Sequence, residues 1–196
     1  GDTSVHEYPT SEQMAEIAIS AAITATSALI MTDPTIIAAN ANVNVANSQR
    51  NTPLFVASEK GYTVIVQALA AAGANVNARN DDGRTALLIA SRCKHTETVR
   101  ALIKLQADVN ICSEIQLTSA LMYAAKTANI DCVNALLQAH ADVTLKDYAN
   151  RTALSFAIRK DNIRCATALV VGGAKLVTPQ ELREKDSCRH HQPSSK

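Results

Sequence analysis

The residues able to ligate a metal or attack a substrate are few and scattered: five histidines (His6, His95, His140, His190, His191) and five cysteines (Cys93, Cys112, Cys132, Cys165, Cys188). No cysteine belongs to a CxxC pair, so a zinc site of that kind has no ligand spacing to start from. Cys188, His190 and His191 have metal-ligand chemistry, but they lie in a polar stretch, DSCRHHQPSSK, that offers only adventitious binding. His95 and His140 fall at turn or helix-end positions and read as structural. The acidic pair Asp81-Asp82 stands in a turn, where Asp is favoured for local geometry. GxGxxG, GxSxG, P-loop and HExxH patterns are absent. Catalysis needs groups that converge in a closed pocket. The expectation is therefore a non-enzyme with no cofactor, no metal and no small-molecule substrate.

What positions these residues is a repeat. Near-copies of one pattern open at Thr52 (TPLFVASEKGYTVIVQALAAAGANVN), Thr85 (TALLIASRCKHTETVRALIKLQADVN), Ser119 (SALMYAAKTANIDCVNALLQAHADVT) and Thr152 (TALSFAIRKDNIRCATALVVGGAKLV), at intervals of 33, 34 and 33 residues. The tails repeat as well: Ala41-Asn42-Val43-Asn44, Ala74-Asn75-Val76-Asn77, Ala107-Asp108-Val109-Asn110 and Ala141-Asp142-Val143-Thr144. Each copy predicts two short helices. Thr52 and Thr85 cap the first, with Pro53 at its first position in one copy. Leu54, Leu87, Leu121 and Leu154 point inward, and Ala57, Ala90, Ala124 and Ala157 let neighbouring helices approach. Gly73 and Gly172-Gly173 supply C-terminal caps; Gln106 and His140 stand where Gly is easier, so those ends are expected to be slightly strained or solved differently. Cys132 and Cys165 share one position at the start of the second helix, which marks them as buried thiols. Cys93 and Cys132 lie one repeat apart, and a disulfide between them stays open.

Composition agrees with a thin-layered stack. The chain has 196 residues, of which 47% are hydrophobic, yet aromatics make up 3% and Trp is absent. Ala, Leu, Val and Ile fill such layers without large rings. A net charge of +1 and the lack of interleaved stacking aromatics argue against nucleic acid. Residues 17–31 carry no charge, but the stretch is too short to span a bilayer and no basic run precedes it, so no membrane insertion is expected. The first residue is Gly1 rather than Met, which fits a trimmed chain and a processed export product equally.

Over roughly Asp33 to Leu176 the chain resembles the ankyrin-repeat family, through four copies in phase with a period near 33. It departs from the family pattern at Phe55, Leu88, Met122 and Ser155, where His is favoured. It departs again at the inter-helix turn, where Gly61-Tyr62 is followed by Lys94-His95, Ala128-Asn129 and Asp161-Asn162; the loops of Lys94 and Asp161 are expected to be less regular. The resemblance implies an all-α ankyrin-repeat solenoid of helix-turn-helix units joined by β-turn fingers. The expected organisation is a degenerate N-terminal capping repeat over residues 1–45. In it Thr10 or Ser11 caps one helix and Asp33-Pro34 opens another. Four repeats follow at about 46–78, 79–112, 113–145 and 146–177. Residues 178–196 hold a C-terminal helix opened by the capping box of Thr178 and Glu181, then a polar tail.

The resemblance also implies binding of another protein through the concave face formed by finger tips and first-helix edges. The positions carried over include Gln49, Arg79, Asp81, Arg84, Ile115, Lys146, Tyr148 and Arg151 on the fingers, and Lys60, Arg92, Lys126, Arg159 and Lys160 on the helix edge. Lys60, Arg92, Lys126 and Arg159 read as a basic wall facing an acidic or mixed-charge partner; the plain alternative is solvated surface charge. Ile115, Leu117 and Tyr148 read as apolar finger tips, unless Leu117 folds back under the one-residue insertion in its repeat. The expected role is that of a monomeric binder that masks a partner, such as an inhibitor or immunity-type protein covering a hydrolase cleft. The alternative is a scaffold or adaptor. Small bacterial members of the family include exported ones, so periplasm and cytoplasm both stay open.

Overall fold

The computed structural model describes residues 43–174. The expected N-terminal capping repeat, the Thr178 capping box, Cys188 and the tail histidines lie outside these residues. Among the described residues eight helices form four pairs: α1 (Pro53–Lys60) and α2 (Thr63–Ala71), α3 (Ala86–Arg92) and α4 (Thr96–Lys104), α5 (Ala120–Lys126) and α6 (Ile130–Gln138), α7 (Ala153–Arg159) and α8 (Ile163–Val171). The first helices pack in one row, the second helices in another, and each pair packs on itself. Among the described residues there is no strand, only an isolated antiparallel bridge between Cys112 and Ser119.

Local chemistry accounts for each start. Thr52, Thr85, Ser119 and Thr152 hold extended backbone, and each hydroxyl accepts the amide three residues on, from Phe55, Leu88, Met122 and Ser155. Ser155 returns the bond to the Thr152 amide, which completes a capping box with Ser in place of the usual Glu. Asn129 and Asn162 cap α6 and α8 through the amides of Cys132 and Cys165.

One continuous core joins the layers. Leu54, Leu87, Leu121 and Leu154 are fully buried, as are Ala57, Ala90, Ala124 and Ala157. Each buried leucine contributes about 1.5–3 kcal/mol of transfer free energy. Ile65, Thr98, Cys132 and Cys165 share a buried position at the second-helix start. Thr98 is tolerated there because its hydroxyl meets that of Thr63 at 2.8 Å. The described cysteines, Cys93 and Cys132 included, are all free, so the disulfide left open by the sequence is not formed. Burial pushes the Cys132 and Cys165 thiols up.

The inter-helix turns are more regular than expected. Gly61 has φ 76°, and Lys94, Ala128 and Asp161 adopt the same left-handed conformation at 66°, 57° and 52°. Departure from Gly therefore leaves the loop intact and stores strain instead. Gln106 and His140 do the same at the second-helix ends, with φ of 63° and 59°. At the last helix end it is Gly173, at 97°, rather than Gly172 that takes the left-handed turn.

Candidate functional site

The surface that could meet a partner is set by three ladders of hydrogen bonds, each joining one repeat to the next. At the tail turns, Asn44, Asn77 and Asn110 accept through Oδ1 from the amides of Asn75, Asp108 and Asp142, at 2.8, 2.9 and 2.8 Å. Thr144 has no equivalent reach and closes onto Asp142 instead, donating through its amide and its hydroxyl. Those two bonds lower the Asp142 carboxyl from its ordinary range, the hydroxyl contributing most. At the inter-helix turns, Asn129 and Asn162 donate to the carbonyls of Lys94 and Ala128. His95, being longer, donates through Nε2 to the Glu59 carbonyl at 3.0 Å.

The third ladder builds the fingers. Asn47, Asn80, Ser113 and Asp147 occupy one position at the finger bases, and each side-chain oxygen gathers amides of its own loop. Neighbouring tips are joined through the main chain. Asp81 donates to the Gln49 carbonyl at 3.1 Å, Glu114 to that of Asp82 at 2.9 Å, and Tyr148 to that of Gln116 at 3.3 Å. The tips therefore form one connected strip. Gly83 has no side chain for a steric reason: an added Cβ would lie 2.7 Å from the Glu114 amide nitrogen.

The expected binding residues divide into two groups on this strip. Some are spent on the fold. Asp147 is 4% exposed and holds Arg151 by Oδ2, at 2.8 Å to Nε and 2.6 Å to a terminal nitrogen. The same guanidinium lies 4.8 Å from the Phe156 ring centroid and 5.7 Å from that of Tyr148. Arg84 pairs with Asp82 at 2.8 Å; Arg79 meets Glu114 at 3.5 Å in a surface pair that leaves both side chains exposed. The others face solvent: Gln49, Lys60, Asp81, Arg92, Ile115, Lys126, Lys146, Tyr148, Arg159 and Lys160. Ile115, Leu117 and Tyr148 are 65%, 48% and 61% exposed. Leu117 thus does not fold back under its finger.

The basic wall needs one adjustment. Counted from the capping hydroxyl, Arg92, Lys126 and Arg159 stand at one position, while Lys60 stands one residue further and Glu59 takes the matching place. What is constant is that every first helix ends on a cation. A cation there also complements the helix dipole, a contribution of about 0.3–1 kcal/mol at an exposed end.

Beside α7 and α8, Leu154, Ile158, Ile163, Ala166 and Val170 line an open groove of about 400 Å³. In the preceding pairs the corresponding flank is covered by the next pair, so the groove continues the stacking surface of the solenoid. Among the described residues, no group of three or more His, Cys, Asp or Glu is placed to hold a metal ion. No helix among them is long and apolar enough to cross a membrane.

Sequence reasoning missed the ladders, the finger-base residues and the Asp147–Arg151 pair. Signals were present: the Asn recurring in the first three tails, and the polar residue recurring five or six positions before each capping hydroxyl. A family model described as ankyrin repeats (3 copies) matches residues 21–113 and 108–179. Inversin of Mus musculus is 38% identical over 77 residues, which is 37% of this chain and 7% of Inversin. The chain thus spans a small fraction of that relative's length.

Proposed function

The chain belongs to the ankyrin-repeat family, a family of protein–protein interaction modules, and we propose that it binds a partner through its finger tips and first-helix ends and masks or regulates it. In the form proposed, it is an inhibitor or immunity-type binder that covers the cleft of an enzyme such as a hydrolase. The observation that carries this reading is the division of labour along the fingers. Backbone amides and finger-base side chains are consumed by the ladders, while Arg92, Lys126, Arg159, Lys160 and three large apolar tips face water on successive repeats. An array of this kind recognises an extended, shaped surface, and its cations favour an acidic or mixed-charge one. A monomeric free state in periplasm or cytoplasm belongs to the same proposal.

A scaffold role is the second reading. Val64 and Ile163 are exposed on the second helices, which gives the opposite row apolar contacts of its own. The test is an activity assay on the purified partner enzyme with increasing amounts of this chain. Masking predicts activity lost at one equivalent. Full activity in a stable complex would transfer the protein to the scaffold class.

A further inference from the structure

Resting on the protein-binding reading above, we infer that the third and fourth fingers form an apolar ledge that docks an acidic partner segment carrying aliphatic side chains.

The first observation is backbone strain without a visible return. One position in each finger is left-handed: Arg50 (φ 57°), Gly83 (69°), Leu117 (50°) and Asn150 (60°). Gly and Asn suit this conformation, whereas a bulky apolar residue does not. Leu117 adopts it and still leaves about half of its surface in water. Neither backbone preference nor packing accounts for Leu at this place, and strain that the fold does not use points to a functional site.

The second observation is that the ledge is rigid. The third finger closes on the Cys112–Ser119 bridge and on reciprocal bonds between Ser113 and Thr118. The Tyr148 amide joins its neighbour through the Gln116 carbonyl, between Ile115 and Leu117. Arg151, held by Asp147, lies over the Tyr148 ring. Tips whose backbone is tied before binding lose little main-chain entropy on contact, and an exposed aromatic with aliphatic neighbours has the make-up of a hot spot.

Charge selects the occupant. Lys126, Lys146, Arg159 and Lys160 are exposed and form no ion pair among the described residues. Around the second finger the cations Arg79 and Arg84 are paired and Asp81 adds negative charge. Among the described residues Arg50, Lys60 and Arg92 are also exposed and unpaired, but large apolar tips stand only on the third and fourth fingers. There alone positive charge lies beside them, and the complementary segment mixes Asp or Glu with Leu, Ile or Val.

The probe is a phage-displayed library of random 16-residue peptides selected on the full chain. The ledge predicts an enriched family of acidic, aliphatic-containing peptides. Their binding falls at least tenfold with Leu117→Gly or Tyr148→Ser, falls with added salt, and is unchanged by Gln67→Ala on the exposed side of α2. Leu117→Gly also raises the melting temperature, because Gly relieves the φ of 50°. Loss of binding in a more stable protein separates a ledge from a merely structural residue. Enriched peptides that are neutral or basic, indifference to both ledge variants, or no enrichment at all would overturn the inference. Peptides selected elsewhere on the fingers would sink the ledge and leave the protein-binding reading standing. Peptides on the ledge that leave the inhibition of a partner enzyme by this chain unchanged would keep the ledge and sink its part in masking.

Discussion

Asp147 holds Arg151 at both ends of the residue: Oδ1 accepts its backbone amide at 2.8 Å, and Oδ2 accepts from the guanidinium at 2.6 and 2.8 Å. Asp147 therefore both folds the fourth finger and orients the cation over the Tyr148 ring. Asn80 performs the backbone half of that task in the second finger with a neutral side chain. Asp147→Ala, which removes both roles, is expected to lower stability by about 2–3 kcal/mol. Asp147→Asn keeps the Oδ1 acceptor and is expected to cost about half as much. Urea unfolding of the two variants measures the difference; equal losses would show that the Oδ1–backbone bonds contribute nothing, and no loss in Asp147→Asn would show the same of the guanidinium bonds.

Gly61 and Gly73 separate steric from torsional demand. Both are left-handed, but a Cβ on Gly61 would lie 2.5 Å from Nδ1 of His95, whereas nothing lies within 4 Å of one on Gly73. Gly73→Ala is expected to cost about 1 kcal/mol from backbone strain alone. Gly61→Ala adds a collision with a ring anchored on the Glu59 carbonyl, and an expected loss of roughly 2–3 kcal/mol. The rank order in thermal melts checks the assignment of His95 as an inter-repeat tie.

The reverse exchange should stabilise. Ala128 and Gln106 are left-handed with φ of 57° and 63°, so Ala128→Gly and Gln106→Gly are each expected to add about 0.5 kcal/mol after the entropy cost of Gly. A destabilisation of either variant would mean that the strain is absorbed elsewhere.

The cysteines give a chemical readout. Burial raises the thiols of Cys112, Cys132 and Cys165, but Cys132 and Cys165 are fully buried while Cys93 and Cys112 are partly exposed. At pH 8 in native buffer a disulfide reagent should modify Cys132 and Cys165 last. In denaturant without reductant, all five cysteines of the chain should titrate as free thiols; three would restore the Cys93–Cys132 disulfide.

The period, the capping hydroxyls and the buried Leu and Ala positions were legible in the sequence, because each depends on a residue's own type at a recurring place. The ladders were not, because a side-chain bond from Asn44 to the amide of Asn75, or from His95 to Glu59, joins residues 31 or 36 positions apart. Arg84 and Arg151 read as free cations for another reason. Their partners Asp82 and Asp147 are near in sequence but face them only once the finger has closed. Leu117 was legible as an oddity, and its exposure became readable only with the finger built.

The most direct measurement is capture from native lysate, soluble and envelope fractions alike, with the chain as bait beside a variant carrying Arg92→Glu, Lys126→Glu and Arg159→Glu. These residues are exposed, and the variant is expected to fold. Binding through the finger and helix-end face predicts one protein recovered at a one-to-one ratio by the parent chain and strongly depleted from the variant, more so at low salt. Equal recovery by both baits would contradict the account and move the interface to another surface.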